Sequence, residues 1–370
     1  MLRNNPGMRI IDLQRRFSSM LRPVAAVYGA AMRLRACRYQ SRYLTTPYRP
    51  ACPVISVGNI SWGGTGKTPI VEYILTKAAK SGLQTVVLTR GYKATPLHLP
   101  FPVRPDSDPR TSGDEPLLLA QRHPETLVLV DPKRARAAAW AESNIAPELF
   151  LLDDGMQHLA IERDLDIVLL APGDLLDGWN RVIPAGSWRE DKTALARADA
   201  FCMKVDGAVL SDIAPAAEKL LGGYNRPLYF FDLQPTGLTR LMPHGKTQAE
   251  TTPDLAGSPY FLLCGTGNPA HVQQTAKKLL GRDPADCLIM QDHHHYTETD
   301  INAVRQRGYP IVCTAKDAVK LAPLLPLFDN IPVWILNVRT VFTTTMFTDT
   351  PFDIWLTTTL QHLCSGSAPS

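Results

Sequence analysis

The stretch "VISVGNISWGGTGKTPIVEYIL", residues 54–75, constrains the fold more than any other part of the chain. Residues Pro53 to Val57 predict a short strand, a glycine-rich turn follows, and a helix is expected from about Lys67 onward. A strand, a tight turn and a helix N-terminus together present several backbone N–H groups to an anion. Gly63, Gly64 and Gly66 let the backbone approach phosphate oxygens that a Cβ would obstruct. Lys67 would reach the β- and γ-phosphates, and the Thr68 hydroxyl would ligate Mg²⁺. Ser61 stands where the phosphate-loop consensus has glycine, so the expected nucleotide-binding stretch is Ser61, Trp62, Gly63, Gly64, Thr65, Gly66, Lys67 and Thr68. A glycine turn that binds nothing is the competing reading, and the flanking strand and helix weigh against it.

At 370 residues the chain is long enough for two domains with their own cores. Its seven cysteines form no CxxC pair, which predicts a reduced, cytoplasmic setting. The net charge of +4 conceals an asymmetry: residues 1–50 hold ten arginines and one aspartate, net +9, while the remainder is net −5. Basic charge confined to one apolar-rich segment is not a nucleic-acid face, and no nucleic-acid partner is expected. Between Arg22 and Arg33 the apolar run is ten residues, about half of what crosses a bilayer. No cleavage-site pattern follows, so neither a transmembrane helix nor a signal peptide is expected. A basic amphipathic helix on an anionic membrane surface fits; an ordinary packed helix with solvated arginines, or a transit peptide, competes.

Beyond the loop, apolar strands alternate with helical patterns: "QTVVLTRGY", "TLVLV", "PELFLLDDGMQH", "RDLDIVLLAP" and "ADAFCMKVDG" read as strands. The Pro-rich stretch from Ala94 to Pro116 reads as a long loop. The expected fold class is α/β, a P-loop NTPase-like parallel sheet with helices on both faces, plus a second, smaller α/β domain. We assign residues 1–50 to the basic segment, 51–225 to the P-loop domain and 226–370 to the smaller domain. Ligands in such sheets sit beyond the carboxyl ends of the strands, where the P-loop, Arg90, Asp153-Asp154 and Pro172 all fall.

Asp153 and Asp154 end an apolar strand, where a nucleotide enzyme places acids for Mg²⁺; an Asp-Gly turn is the bland alternative. Asp114 and Glu115 in "TSGDEP" precede a helix and, standing alone, read first as residues of its cap and first turn. In "QDHHHYTETD", consecutive histidines cannot all point one way. A metal site would need further ligands, so one imidazole orienting a carboxylate is the favoured reading. Arg189 in "IPAGSWRED" and Lys316 in "TAKDAVK" are candidate sources of positive charge near a transferred phosphoryl group.

The segments "SVGNISWGGTGKTPIV", "LTRGY", "SGDEPLLLA", "LDDGMQH", "IPAGSWRE", "CGTGNP", "DHHHYT" and "TAKDAVK" occur in this order. Together they resemble the tetraacyldisaccharide 4′-kinase family, the lipid A 4′-kinases of Gram-negative bacteria, from about residue 20 to 340. The resemblance implies ATP and Mg²⁺ as cofactors and a tetraacylated glucosamine disaccharide 1-phosphate as acceptor, giving lipid IVA. It also implies a peripheral protein on the anionic cytoplasmic face of the inner membrane; a monomer is expected. Carried over by motif, Asp114 is the implied base and His293 its partner. Lys67 serves the phosphates, and Arg189 stabilises phosphoryl charge. Thr68, Glu115, Asp153, Asp154 and Glu190 are the candidate Mg²⁺ ligands. Ser61 matches the family's usual Ser/Thr. Ile183, Ser187-Trp188 and Ala315 depart from its usual "LLPAGPLRE" and "TEKDAVK".

Two other classes compete. A GTP switch or metallochaperone would read guanine through NKxD, and "MKVD", Met203 to Asp206, has the place but lacks the Asn. A partitioning ATPase would need neither the "GDE" loop nor "DHHHY".

Overall fold

The computed structural model describes residues 6–365 except 42–44, 206–209, 243–246, 249–254 and 256. Residues 1–5 of the basic segment and Asp206 of "MKVD" therefore lie outside the described residues. A long helix, α1 (Pro6–Gln40), precedes the first half of the sheet: β1 (Val54–Asn59), α2 (Lys67–Lys80), β2 (Thr85–Thr89), β3 (Phe101–Val103), α3 (Pro109–Ser112), α4 (Asp114–Arg122), β4 (Leu127–Val130), α5 (Arg134–Asn144), β5 (Leu149–Asp153), β6 (Leu165–Leu170), α6 (Pro172–Leu175), β7 (Ala200–Lys204) and α7 (Leu210–Leu221). The second half comprises β8 (Leu228–Leu241), β9 (Thr247–Gln248), β10 (Phe261–Gly265), α8 (Pro269–Leu280), β11 (Asp286–Met290), α9 (Glu298–Arg305), β12 (Ile311–Thr314), α10 (Ala315–Leu321), β13 (Val333–Met346) and α11 (Phe352–Cys364).

These strands form one continuous sheet in the order β11-β10-β12-β13-β8-β7-β6-β1-β5-β2-β4-β3, with β9 beside β8. Central strands β1, β2, β5, β6 and β7 are parallel and buried along their whole lengths, as expected of strands covered on both faces. Ile70, Val71, Ile74, Leu75 and Ala78 form the buried stripe of α2, at helical spacing. On the same side, Phe352, Leu356 and Leu360 seat α11, and Phe352 stacks on Phe342 with ring centroids 4.0 Å apart.

The expected boundary at residue 225 falls just before β8, which runs parallel to β7 and antiparallel to β13. The β8–β13 ribbon, from Leu228↔Met346 to Arg240↔Trp334, carries the sheet unbroken from the P-loop half into the half that holds His293. Among the described residues no helix is long and apolar enough to cross a membrane.

Candidate active site

β1 delivers the chain to the sheet's carboxyl edge, where α2 begins at Lys67 with Gly66 as its N-cap. Gly63 and Gly66 have φ of 124° and 89°, conformations that disfavour a side chain, and a Cβ on Gly66 would meet the Phe231 ring at 2.9 Å. The buried Asn59 shapes the turn from below. Its amide donates to Thr65 Oγ1 at 3.0 Å, and its Oδ1 accepts from Lys67 Nζ at 3.2 Å. Gly64 and Thr68 complete the turn, and Trp62 is 47% exposed beside it. The Ser61 hydroxyl faces elsewhere: it donates to Asp174 Oδ2 at 2.9 Å.

Asp153 and Asp154 leave β5 in different directions, and Asp154 has a positive φ of 54°. Asp154 lies 3.5 Å from Lys67 Nζ and accepts a two-pronged bond from Arg189 at 2.9 and 3.0 Å. Burial opposes the Asp154 charge, but Lys67, Arg189 and Arg134 hold its carboxyl far below the usual range. Asp153 is buried, and its carboxyl accepts from Thr89 Oγ1 at 3.1 Å. Burial, then the charges of Glu115 and Asp154, push it up to about 6 against the pull of Lys67. Asp153 thus feels the charges of both the P-loop lysine and the acid that follows Asp114. Glu190 is buried and paired with Arg197 at 2.8 Å.

Asp114 and Glu115 are the first-turn acids of α4, as expected, and Asp114 Oδ1 accepts from the Glu115 N–H at 3.1 Å, while the N-cap itself is Gly113. Asp114 also meets His293, whose Nδ1 stands 3.0 and 3.1 Å from its two carboxylate oxygens. Burial raises the Asp114 pKa, while His293, Lys316 and Lys320 more than offset it and leave it at about 2. The three histidines diverge as their spacing requires. His294 reaches Asp300 at 3.0 Å, and His295 lines the cleft with Tyr92, Lys93, Gly113 and Asp114. The structure therefore gathers Lys67, Asn59, Asp154 and Arg189 at one point and Asp114, Glu115, His293 and Lys316 at another.

Sequence reasoning missed two participants. Asp174 accepts from Ser61, from Trp188 Nε1 at 2.9 Å and from the Ala171 N–H at 2.8 Å. Arg134, buried at the start of α5, lies 3.3 Å from His158 Nδ1. Burial first, then Arg134, Arg163, Arg35 and Arg90, push His158 down to about 3, so this side of the site is strongly cationic. The "DPKRARAAAW" pattern gave only a helix, and nothing in its spacing marks Arg134 as buried.

Fold and loop together define a P-loop phosphotransferase of the α/β class. The family described as LpxK, tetraacyldisaccharide-1-P 4′-kinase, matches residues 17–357, and the chain belongs to it. The tetraacyldisaccharide 4′-kinase of Nitratidesulfovibrio vulgaris is 44% identical over 94% of this chain and 96% of its own. That of Oleidesulfovibrio alaskensis is 45% identical over 90% and 91%. A crystal structure of LpxK from Aquifex aeolicus in complex with ATP is similar with a TM-score of 0.73, at 26% identity over 94% of this chain and 99% of that one.

Proposed function

We propose that this chain transfers the γ-phosphoryl group of ATP to the 4′-hydroxyl of a tetraacylated glucosamine disaccharide 1-phosphate, giving lipid IVA in lipid A biosynthesis. The observation that carries this reading is the Asp114–His293 pair, assembled at 3.0 Å in the chain that also holds the P-loop lysine. Backbone N–H groups from Gly63 to Thr68 and the Lys67 ammonium hold the β- and γ-phosphates. Asp114 accepts the hydrogen bond of the 4′-hydroxyl and finally its proton, with His293 fixing the carboxylate. Arg189 and the Arg134 cluster set a positive potential against the anionic nucleotide and the phosphate-bearing acceptor.

The residues suit Mg²⁺. Burial first, then the negative charges of Glu115 and Asp154, raise the Asp153 pKa, a strain that a hard cation would relieve. Mg²⁺ takes one or two carboxylates and leaves its remaining positions to phosphate oxygens and water. Thr68 and Asp153 would hold it: Glu115, Asp154 and Glu190 are each paired with a cationic side chain. Bound there, Mg²⁺ would neutralise charge on the β- and γ-phosphates.

Residues 51–225 would act as the nucleotide half and 226–370 as the half supplying His293 and Lys316, all from one chain, so a monomer suffices. α1 would rest on the cytoplasmic face of the inner membrane. Its Phe17, Met20, Val24, Val27 and Leu34 are exposed at helical spacing, among arginines, while Ser18 on another face donates to the Ala185 carbonyl at 2.8 Å. The test is transfer from γ-labelled ATP, with Mg²⁺, to the tetraacyl disaccharide in detergent micelles. Label is expected on the lipid and absent from it with Asp114→Asn; hydrolysis without lipid labelling overturns the reading.

A further inference from the structure

Lys316, expected as a source of charge near the transferred phosphoryl group, is engaged by neighbouring side chains. From α10 it reaches three acceptors at once: Glu115 Oε1 at 2.7 Å, Asp292 Oδ1 at 2.8 Å and His293 Nε2 at 3.2 Å. An ammonium has three N–H donors and no acceptor, so this arrangement uses each of its protons. A proton on His293 Nε2 would point one donor at another. The carboxylate oxygen that could take it instead, Asp292 Oδ2, is 3.7 Å away, too far for a hydrogen bond. On the other side of the ring, Nδ1 faces both oxygens of Asp114, two acceptors at 3.0 and 3.1 Å.

We infer that Lys316 is a positioning residue of the proposed dyad, which locks His293 as the neutral Nδ1–H tautomer so that the ring donates to Asp114 and cannot itself receive the acceptor's proton. The assignment rests on the kinase reading above for its catalytic meaning, but its geometry stands alone. A neutral imidazole has one N–H, and the partner of one ring nitrogen decides the state of the other. With Nε2 accepting from Lys316, the remaining proton sits on Nδ1 and is donated to the carboxylate. His293 is also pinned through its backbone. Its φ of 60° lies in the left-handed region, and its own N–H donates to Asp292 Oδ1 at 3.0 Å, the oxygen that Lys316 holds. The lysine therefore fixes loop, ring and α4 acid in one contact. Asp114 is left as the carboxylate aimed by that ring donor and placed to accept a proton.

The test uses full-length protein with ¹⁵N-labelled histidine in detergent micelles, and long-range ¹H–¹⁵N spectra of the His293 ring identified by its loss in His293→Asn. The expected wild-type spectrum has a protonated Nδ1 and an unprotonated Nε2 at about neutral pH. Lys316→Met should mix the tautomers or move the proton to Nε2, and lower kcat by about 10–100-fold with the KM for ATP little changed. Lys316→Arg, which keeps donors in place, should recover part of both. A proton on Nε2 in the wild type overturns the inference, as does an unaltered ring spectrum or unaltered kcat in Lys316→Met. The wild-type spectrum decides even if Lys316→Met does not fold. It also needs no lipid turnover: a chain showing the Nδ1–H ring without lipid labelling would refute the kinase reading and leave the tautomer standing.

Discussion

Ser61 and Asp174, 113 positions apart, are joined by a hydrogen bond of 2.9 Å in the buried floor of the phosphate loop. Asp174 also holds Trp188 Nε1, and the Trp62 N–H donates to the Ser187 carbonyl at 2.9 Å. The loop's first turn is thus moored to the segment that carries Arg189. This gives a structural use to both Ser61, where the consensus has glycine, and Trp188. Ser61→Ala should leave a buried carboxylate short of one donor, costing about 1–3 kcal/mol of stability. The same change should weaken ATP binding, since the turn loses its anchor. Thermal melting with and without ATP checks this, and an unchanged melt would dismiss the mooring.

Asp114 is held at about 2 although burial opposes its charge, so it is a carboxylate at every working pH. So weak a base suits phosphoryl transfer, where the transition state is loose and the acceptor's proton departs late. Asp114→Asn should lower kcat by about 10²–10⁴-fold and leave the ATP Kd unchanged. His293→Ala should impair turnover far more than ATP binding; equal loss of both would sink the dyad. The pH dependence has a definite sign. A folded pKa below the unfolded value of about 3.9 means that this group's stabilisation is present above that value and is lost as pH falls toward about 2. The stability gap between wild type and Asp114→Asn should therefore close in acid.

Asp153 behaves in the opposite way. Its carboxyl is pushed up to about 6 by burial first, then by Glu115 and Asp154. A raised carboxyl pKa contributes to stability below the unfolded value, and that contribution disappears as pH rises through about 6. In metal-free protein at neutral pH the ionised group is therefore a liability. Asp153→Asn keeps an acceptor for Thr89 and removes the charge, so it should raise metal-free stability by about 1–3 kcal/mol at pH above 7 and by less at pH 5. It should also remove most kinase activity, the trade expected where an active site stores repulsion. Denaturation at the two pH values checks the pair, and equal effects at both would contradict the assignment.

The sequence made local things legible and distant ones illegible, for physical reasons. The P-loop, the start of α2 at Lys67 and the strand ending in Asp153 follow from periodicity and glycine spacing, which are short-range signals. The divergence of His293 and His294 follows from backbone geometry alone. The β8–β13 ribbon does not: residues about a hundred positions apart pair in it, and two register shifts interrupt the pairing, at Asn337/Val338 and Phe342/Thr344. Asp174 carried no local signal, and its three bonds exist only after β1, α6 and the 181–189 loop converge. Lys316 was legible as a cation near the site but not in its role, because its partners come from α4 and from the loop after β11.

The N-terminal helix shows why deleting it would be an ambiguous test of membrane binding. Gln14 donates to the Pro184 and Gly186 carbonyls at 2.9 and 2.7 Å, and Arg33 pairs with Asp191 at 2.6 Å. α1 is therefore part of the floor beneath the loop that carries Arg189, and its removal would disturb the site as well as any membrane contact. The exposed residues separate the two roles. Met20, Val24 and Val27 are 76%, 57% and 71% exposed, so polar replacements there lose little packing. Met20→Ser, Val24→Ser and Val27→Ser together should weaken binding to anionic vesicles by about 10-fold or more, given about 25 cal/mol per Å² of apolar area withdrawn from water. Melting temperature and transfer to a lipid substrate dispersed in detergent should change little. High salt should weaken the wild-type association, because the arginines add a screened attraction to the anionic surface. Vesicle flotation of the folded triple variant decides the matter: recovery with the vesicles at the wild-type level would remove this face of α1 from the membrane.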